Sequence, residues 1–235
     1  MKIVVKVGTS TLAHATGRLN IRHVEALVKV LSDLKNAGHQ IILVSSGAIG
    51  MGVGKLNLPC RPTDMPGKQA AAAVGQCELM FIYDKYFSEY GQTIAQLLLH
   101  KDVTTHENLR ENAQNTLETL LRYGAIPIIN ENDSIAVDEI AYGDNDTLSA
   151  ITASLVEADL LVLLTDIDGL YTENPAAHPD ATLLERVVGF DPAPYDIAGG
   201  SGSKVGTSGI VTKLHAAEID FDKPITVALC HGADP

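Results

Sequence analysis

The chain has 235 residues, 46% of them hydrophobic and 20% charged, with a formal net charge of −12. That is the composition of an ordinary globular protein, long enough for one domain or two small ones. The acidic balance and the lack of a basic run argue against a nucleic-acid partner, and no apolar run reaches membrane-spanning length.

From the N-terminus, Lys2 to Val7 reads as a buried strand, broken by Gly8-Thr9-Ser10-Thr11. Lys6 falls inside that apolar run, where a lysine is costly unless paired or facing a ligand. The alternatives are a snorkelling edge lysine and a phosphate-binding lysine beside a loop at Gly8 whose amides also face phosphate. Asn20 is placed to cap a helix carrying Val24, Leu27, Val28, Leu31 and Leu34 on one face, with Gly38 ending it. Ile41 to Val44 is a second buried strand, followed at once by Ser45-Ser46-Gly47. The stretch GAIGMGVGK lacks the spacing of a dinucleotide fingerprint or a Walker A loop and reads as a flexible turn near a ligand. Pro59 to Pro66 reads as loop.

Residues 68 to 90 form a long predicted helix, with Ala70, Ala73, Val74, Cys77, Phe81 and Tyr83 to Phe87 as its packing residues, in the core or at a subunit interface. A strand over Thr93 to Leu99, a helix from about Thr105 to Tyr123 and a strand through Ile126 to Ile129 follow. That strand ends in Asn130-Glu131-Asn132-Asp133, and a hairpin-like link (Ile135, Val137, Ile140) leads to Gly143-Asp144-Asn145-Asp146, which opens an apolar helix, Leu148 to Val156. Each tetrad alone fits a turn or a helix cap. Two of them separated by only nine residues, the first at a strand's C-terminal end where α/β sheets bind ligands, point to a pocket for a small polar molecule with an amino group. Ala158 to Leu164 is a further strand running into Thr165-Asp166. Asp191 to Gly209 is rich in glycine, proline and serine. A helix over Leu214 to Ile219 and a strand over Ile225 to Leu229 complete the pattern. Alternating strands and helices predict an α/β fold, a mostly parallel central sheet covered on both faces, in one domain over residues 1–235.

The chemistry follows from what is present and what is missing. Lysines, glycine loops, hydroxyls and carboxamides cluster at strand ends, but no HExxH, GxSxG or CxxC pattern occurs, and no EF-hand glutamate follows Asp166. Three well-separated cysteines and no secretory signal fit a reducing, cytoplasmic setting. Phosphoryl transfer to a carboxylate suits such a site, because a carboxylate with a pKa of about 4.3 is already ionised and needs no general base. The obstacle is repulsion between anions, which lysines, amides and magnesium relieve.

The segments KVGTS, VSSGAI, INENDSI, GDNDTLSA, LLTDIDGLYT and GTSGIVTK, in that order, resemble the amino acid kinase family and, within it, the glutamate 5-kinase branch. The resemblance implies a three-layer αβα sandwich and conversion of L-glutamate and ATP, with Mg2+ carried mainly on the nucleotide phosphates, to γ-glutamyl phosphate and ADP, the committed step of proline synthesis. It implies that Lys6 and Lys213 flank the transferred phosphoryl group while Asp146 orients them and the magnesium-nucleotide. Ser46, Asp133 and Asn145, with Asn130 nearby, would hold glutamate. Gly8, Thr165, Asp166 and the segment Thr207, Ser208, Gly209, Ile210, Val211, Thr212 and Lys213 would bind ATP, with no protein-held metal. Proline is expected as a feedback inhibitor, and a homo-oligomer as the assembly. The family's GTGGM stands here as GTSGI, and the PUA domain that follows the kinase domain in many members is not expected in this chain. A regulatory amino-acid-binding module without transfer, or a same-fold kinase for acetylglutamate or uridylate, are the alternatives. Two lysines at the phosphate position favour an enzyme, and acidic partners for a free amine favour glutamate.

Overall fold

The computed structural model describes residues 1–14, 18–135, 145–165, 169–172, 178, 180–185 and 225–232. Within them the strands β1 (Lys2–Val7), β2 (Gln40–Ser45), β3 (Ile94–Leu99), β4 (Ile126–Glu131), β5 (Leu160–Thr165) and β8 (Thr226–His231) form one sheet in the order β3-β4-β2-β1-β5-β8. Every pairing in it is parallel. Two short strands, β6 (Leu170–Tyr171) and β7 (Leu183–Leu184), make a separate antiparallel pair. Pro127 lacks the N–H a central strand normally uses. The described β4–β2 pairs are Leu43 with Ile128 and Val44 with Ile129, one residue after the proline.

The apolar runs read as buried strands because both sheet faces are covered. On one face Ile3, Val5, Val7, Ile41, Leu43, Ile126 and Ile128 pack with Val24, Leu27, Val28 and Leu31 of α2 (Ile21–Asn36) and Leu79, Tyr83 and Phe87 of α4 (Met65–Glu89). On the other, Val4, Ile42, Val44, Ile129, Leu161 and Leu163 pack with Leu117 and Leu121 of α5 (Glu107–Arg122) and with Leu148, Ala153 and Leu155 of α6 (Asn145–Leu155). The result is the three-layer α/β sandwich expected. Successive strand residues face opposite layers, so Val4 and its neighbours Ile3 and Val5 sit in different cores. Asn20 caps α2 as predicted, accepting from His23 N at 3.5 Å, and Gly38 follows the helix with φ +95°.

Three readings change. The glycine-rich GAIGMGVGK is a helix, α3 (Ala48–Lys55), and no flexible turn. Its glycines oppose helix formation by roughly 1 kcal/mol each, so packing holds it. A Cβ on Gly52 would lie 1.8 Å from Ala71 O, and one on Gly75 1.7 Å from Ala48 O. α3 and α4 therefore meet backbone to backbone, a contact only glycine permits. α4 also starts three residues before the predicted position, because Asp64 caps it, accepting from Gly67 N at 3.1 Å, and Pro66 sits in the first turn where its missing N–H costs nothing. Finally, its packing face holds at Tyr83 and Phe87 but is rotated from the expected one before them. Ala71, Ala72, Gly75, Gln76, Leu79, Tyr83 and Phe87 are buried, whereas Ala70, Ala73 and Cys77 are exposed and Phe81 is 65% exposed.

Candidate active site

Parallel pairing puts the C-terminal ends of β1, β2, β4 and β5 along one edge of the sheet, and the candidate residues gather there. Lys6, next to last in β1, lies opposite Val44 and Leu163. Its Nζ meets Asp146 Oδ1 at 2.6 Å, and the two side chains are 9% and 2% exposed. Lys6 is thus a buried, paired lysine and no snorkelling edge residue. Gly8 lies beside it, since a Cβ there would stand 3.7 Å from Lys6 Nζ.

Asn145, one residue before Asp146, turns to a different cluster. Its Nδ2 donates to Ser45 O at 3.1 Å, Ser46 Oγ at 2.8 Å and Asn130 Oδ1 at 2.9 Å. The two polar tetrads thus meet through Asn130 and Asn145. Between β2 and α3 the chain turns at Gly47, whose φ of +103° suits glycine, so that Ser46 faces this cluster. The link over 136–144, which contains Gly143 and Asp144, lies outside the described residues.

Asp133 follows β4 in a turn and lines a cavity of about 230 Å³ with Gln76, Glu131 and Asn132. Burial pushes its carboxyl above the ordinary carboxylate value, and the positive charge of Arg61 partly opposes that. A carboxylate held against its own desolvation gains from a cationic partner. Thr165 ends β5 and is buried, with its carbonyl accepting from Gly232 N at 2.7 Å. Asp166, Thr207, Ser208, Gly209, Ile210, Val211, Thr212 and Lys213 lie outside the described residues. Among the described residues, no group of three or more His, Cys, Asp or Glu is placed to hold a metal.

Two participants escaped the sequence reading. Gln76, on α4, accepts from Asn130 Nδ2 at 2.9 Å. Tyr83 meets Ser45 Oγ at 2.8 Å, and burial holds its phenol above its ordinary pKa. The signal was a glutamine in the alanine-rich run AAAAVGQ, which has no reason to be polar unless the buried face needs one.

A lysine–carboxylate pair beside a glycine loop, next to an amide cluster at the edge of a parallel sheet, is the arrangement of a phosphotransferase. The profile of the amino acid kinase family matches residues 1–219, and the chain belongs to that family. Within it, the chain is 53% identical to the glutamate 5-kinase of Listeria innocua serovar 6a, over its whole length and 86% of the relative's. It is 51% identical to the glutamate 5-kinase of Caldanaerobacter subterraneus subsp. tengcongensis, over 99% of this chain and 62% of that one. Solved structures of lower identity share the fold. An isopentenyl phosphate kinase matches with TM-score 0.64 at 15% identity, over 99% of this chain and 92% of its own. The Synechocystis aspartate kinase matches at 0.62 and 14%, over 98% of this chain and 38% of its own.

Proposed function

We propose that this chain transfers the γ-phosphoryl group of ATP to the γ-carboxylate of L-glutamate, releasing ADP and forming γ-glutamyl phosphate. The observation that supports it is the split at the start of α6. Asn145 joins Ser46 and Asn130, and the very next residue, Asp146, joins Lys6. An amino-acid cluster and a phosphate-facing cation are thereby both anchored at a single helix end, which serves the positioning that a transfer between two bound molecules depends on.

In this reading Ser46, Asp133, Asn145 and Asn130 hold glutamate, with Asp133 taking the ammonium. A γ-carboxylate oxygen attacks the γ-phosphorus, the bond to the bridging oxygen breaks, and ADP departs. No proton moves, so no general base is required. Lys6, aimed by Asp146, offsets the charge gathering on the transferred group, and Lys213 shares that role. Gly8, Thr165, Asp166 and the segment from Thr207 to Thr212 bind the nucleotide. Among the described residues the Asp146 carboxylate would hold a magnesium ion brought in on phosphate oxygens, and such an ion would supply further charge neutralisation. Lys213→Met is expected to lower turnover about a hundredfold, the scale for losing one preorganised charge contact.

Proline shares the α-amino and α-carboxylate groups of glutamate, and we assign it as an inhibitor at the same cluster. A homo-oligomer in the cytoplasm completes the reading. Cys60, Cys77 and Cys230 are free and exposed, as a reducing setting allows, and no helix among the described residues is long and apolar enough to cross a membrane. ADP release measured with glutamate, acetylglutamate and aspartate tests the function. Glutamate should be turned over best; preference for acetylglutamate, or binding of glutamate without turnover, would overturn it.

A further inference from the structure

Gln76 holds a hydrogen-bond donor for which the described residues offer no acceptor. Its side chain is nine-tenths buried, and its Nε2 is sealed from solvent with no partner among the described residues. Side-chain amides can be reversed end for end without changing their shape, but here the orientation is dictated. The backbone N–H of Glu131 can only donate, and it donates to Asn130 Oδ1 at 2.9 Å. The other end of Asn130 is therefore its NH2, which donates to Gln76 at 2.9 Å. Gln76 must present its oxygen there, and what remains is an N–H pair. Buried donors in native proteins are almost always satisfied, so this one calls for an acceptor that arrives from outside.

The same side chain lines the 230 Å³ cavity together with Glu131, Asn132 and Asp133, while Ala48 and Ala72 keep the space open. A simple anion would meet the carboxyl groups of Glu131 and Asp133 there, whose charge Arg61 offsets only in part. A simple cation would leave the Gln76 donor unused. A zwitterion answers both demands, because an α-amino acid carries its ammonium and its carboxylate on one carbon. We infer that, on binding, Gln76 turns its Nε2 to the cavity and donates to the α-carboxylate of the amino-acid substrate while Asp133 takes the adjoining ammonium. Gln76 is thus a specificity-determining residue of the site, and this inference rests on the proposed amino-acid-binding role.

Binding measured by calorimetry, without turnover, tests it with two ligands: L-glutamate and its α-amide, in which a carboxamide replaces the α-carboxylate. Gln76→Glu keeps the shape and the acceptor for Asn130 but replaces the donor with an oxygen. Glutamate affinity should fall about ten- to a hundredfold, the range for a hydrogen bond to a charged group, while ATP affinity stays within about twofold. The α-amide should lose far less, since its own N–H can donate to the new oxygen. Gln76→Met, which removes the donor without adding charge, should lower glutamate affinity about tenfold and leave ATP affinity within about twofold, and serves through that glutamate-to-ATP contrast should the first variant not fold. Unchanged glutamate affinity, or equal losses for glutamate and the α-amide, would overturn the assignment of Gln76 alone. Absence of glutamate binding to the unaltered protein would overturn the amino-acid-binding reading itself, and this inference with it.

Discussion

Lys6 and Asp146 form an ion pair 2.6 Å long between side chains that are almost wholly withdrawn from water. Removing one member of such a pair leaves an uncompensated buried charge, which costs about 3–5 kcal/mol. Lys6→Met and Asp146→Leu should each destabilise on that scale in urea unfolding. The double variant should regain much of the loss, because no charge is left stranded, yet its turnover should stay at least about a hundredfold down. Additive losses of stability in the double variant would show that the two residues act independently.

Asp133 makes an opposite prediction. Burial raises its folded pKa above the ordinary value of 3.8, so the folded state binds a proton more readily than the unfolded one. The associated stability is present below that ordinary value and is lost as pH rises through the folded pKa. Asp133→Asn should therefore melt higher than the unaltered protein at pH 7, with the gap closing as pH falls toward about 4. The same change should raise the KM for glutamate and leave that for ATP nearly unchanged. A variant less stable at pH 7, or one with both constants shifted alike, would return Asp133 to the role of a structural turn residue.

Gly75 has no room for a side chain. With Ala48 O only 1.7 Å from where a Cβ would sit, Gly75→Ala must push α3 away from α4, at about 1–3 kcal/mol for overpacking. Ala48 follows Ser46 and Gly47 directly, so the displacement should reach the amino-acid cluster. A lowered Tm together with a glutamate KM raised more than that for ATP is expected. Full retention of both would mean that the helices can separate without moving the turn.

Proline should act by exclusion. It carries the head of glutamate without the reactive γ-carboxylate, so glutamate should relieve its inhibition and ATP should not. Rates measured against glutamate at several proline concentrations decide this. If saturating glutamate fails to restore the rate, proline binds somewhere else.

The sheet was legible because its strands, covered on both faces, are continuous apolar runs such as IVV, IILV and LLVLL. The polar groups at their ends stood out for the same reason. The α3–α4 pair was not legible. Three glycines in eight residues weigh locally toward a turn, and the contact that favours a helix lies about twenty residues further along the chain. The phase of α4 failed for a related reason. Ala70 to Ala73 put the same small side chain on every face, so periodicity could not tell the buried Ala71 and Ala72 from the exposed Ala70 and Ala73. With the face misplaced, Gln76 was hidden, although Lys6, Asn130, Asn145 and Asp146 were each found from strand ends and helix starts.

The amide relay from Gln76 through Asn130 and Asn145 to Ser46 joins residues 54, 15 and 99 positions apart. Each partner rides on a different element: α4, β4, α6 and the end of β2. None of these bonds can exist until distant parts of the chain have come together, so the pocket depends on the assembled sheet and its covering helices. The reverse also holds. A ligand seated on the relay grips four elements at once, and amide hydrogens across the middle of the sheet should exchange more slowly in its presence, far from any atom it touches.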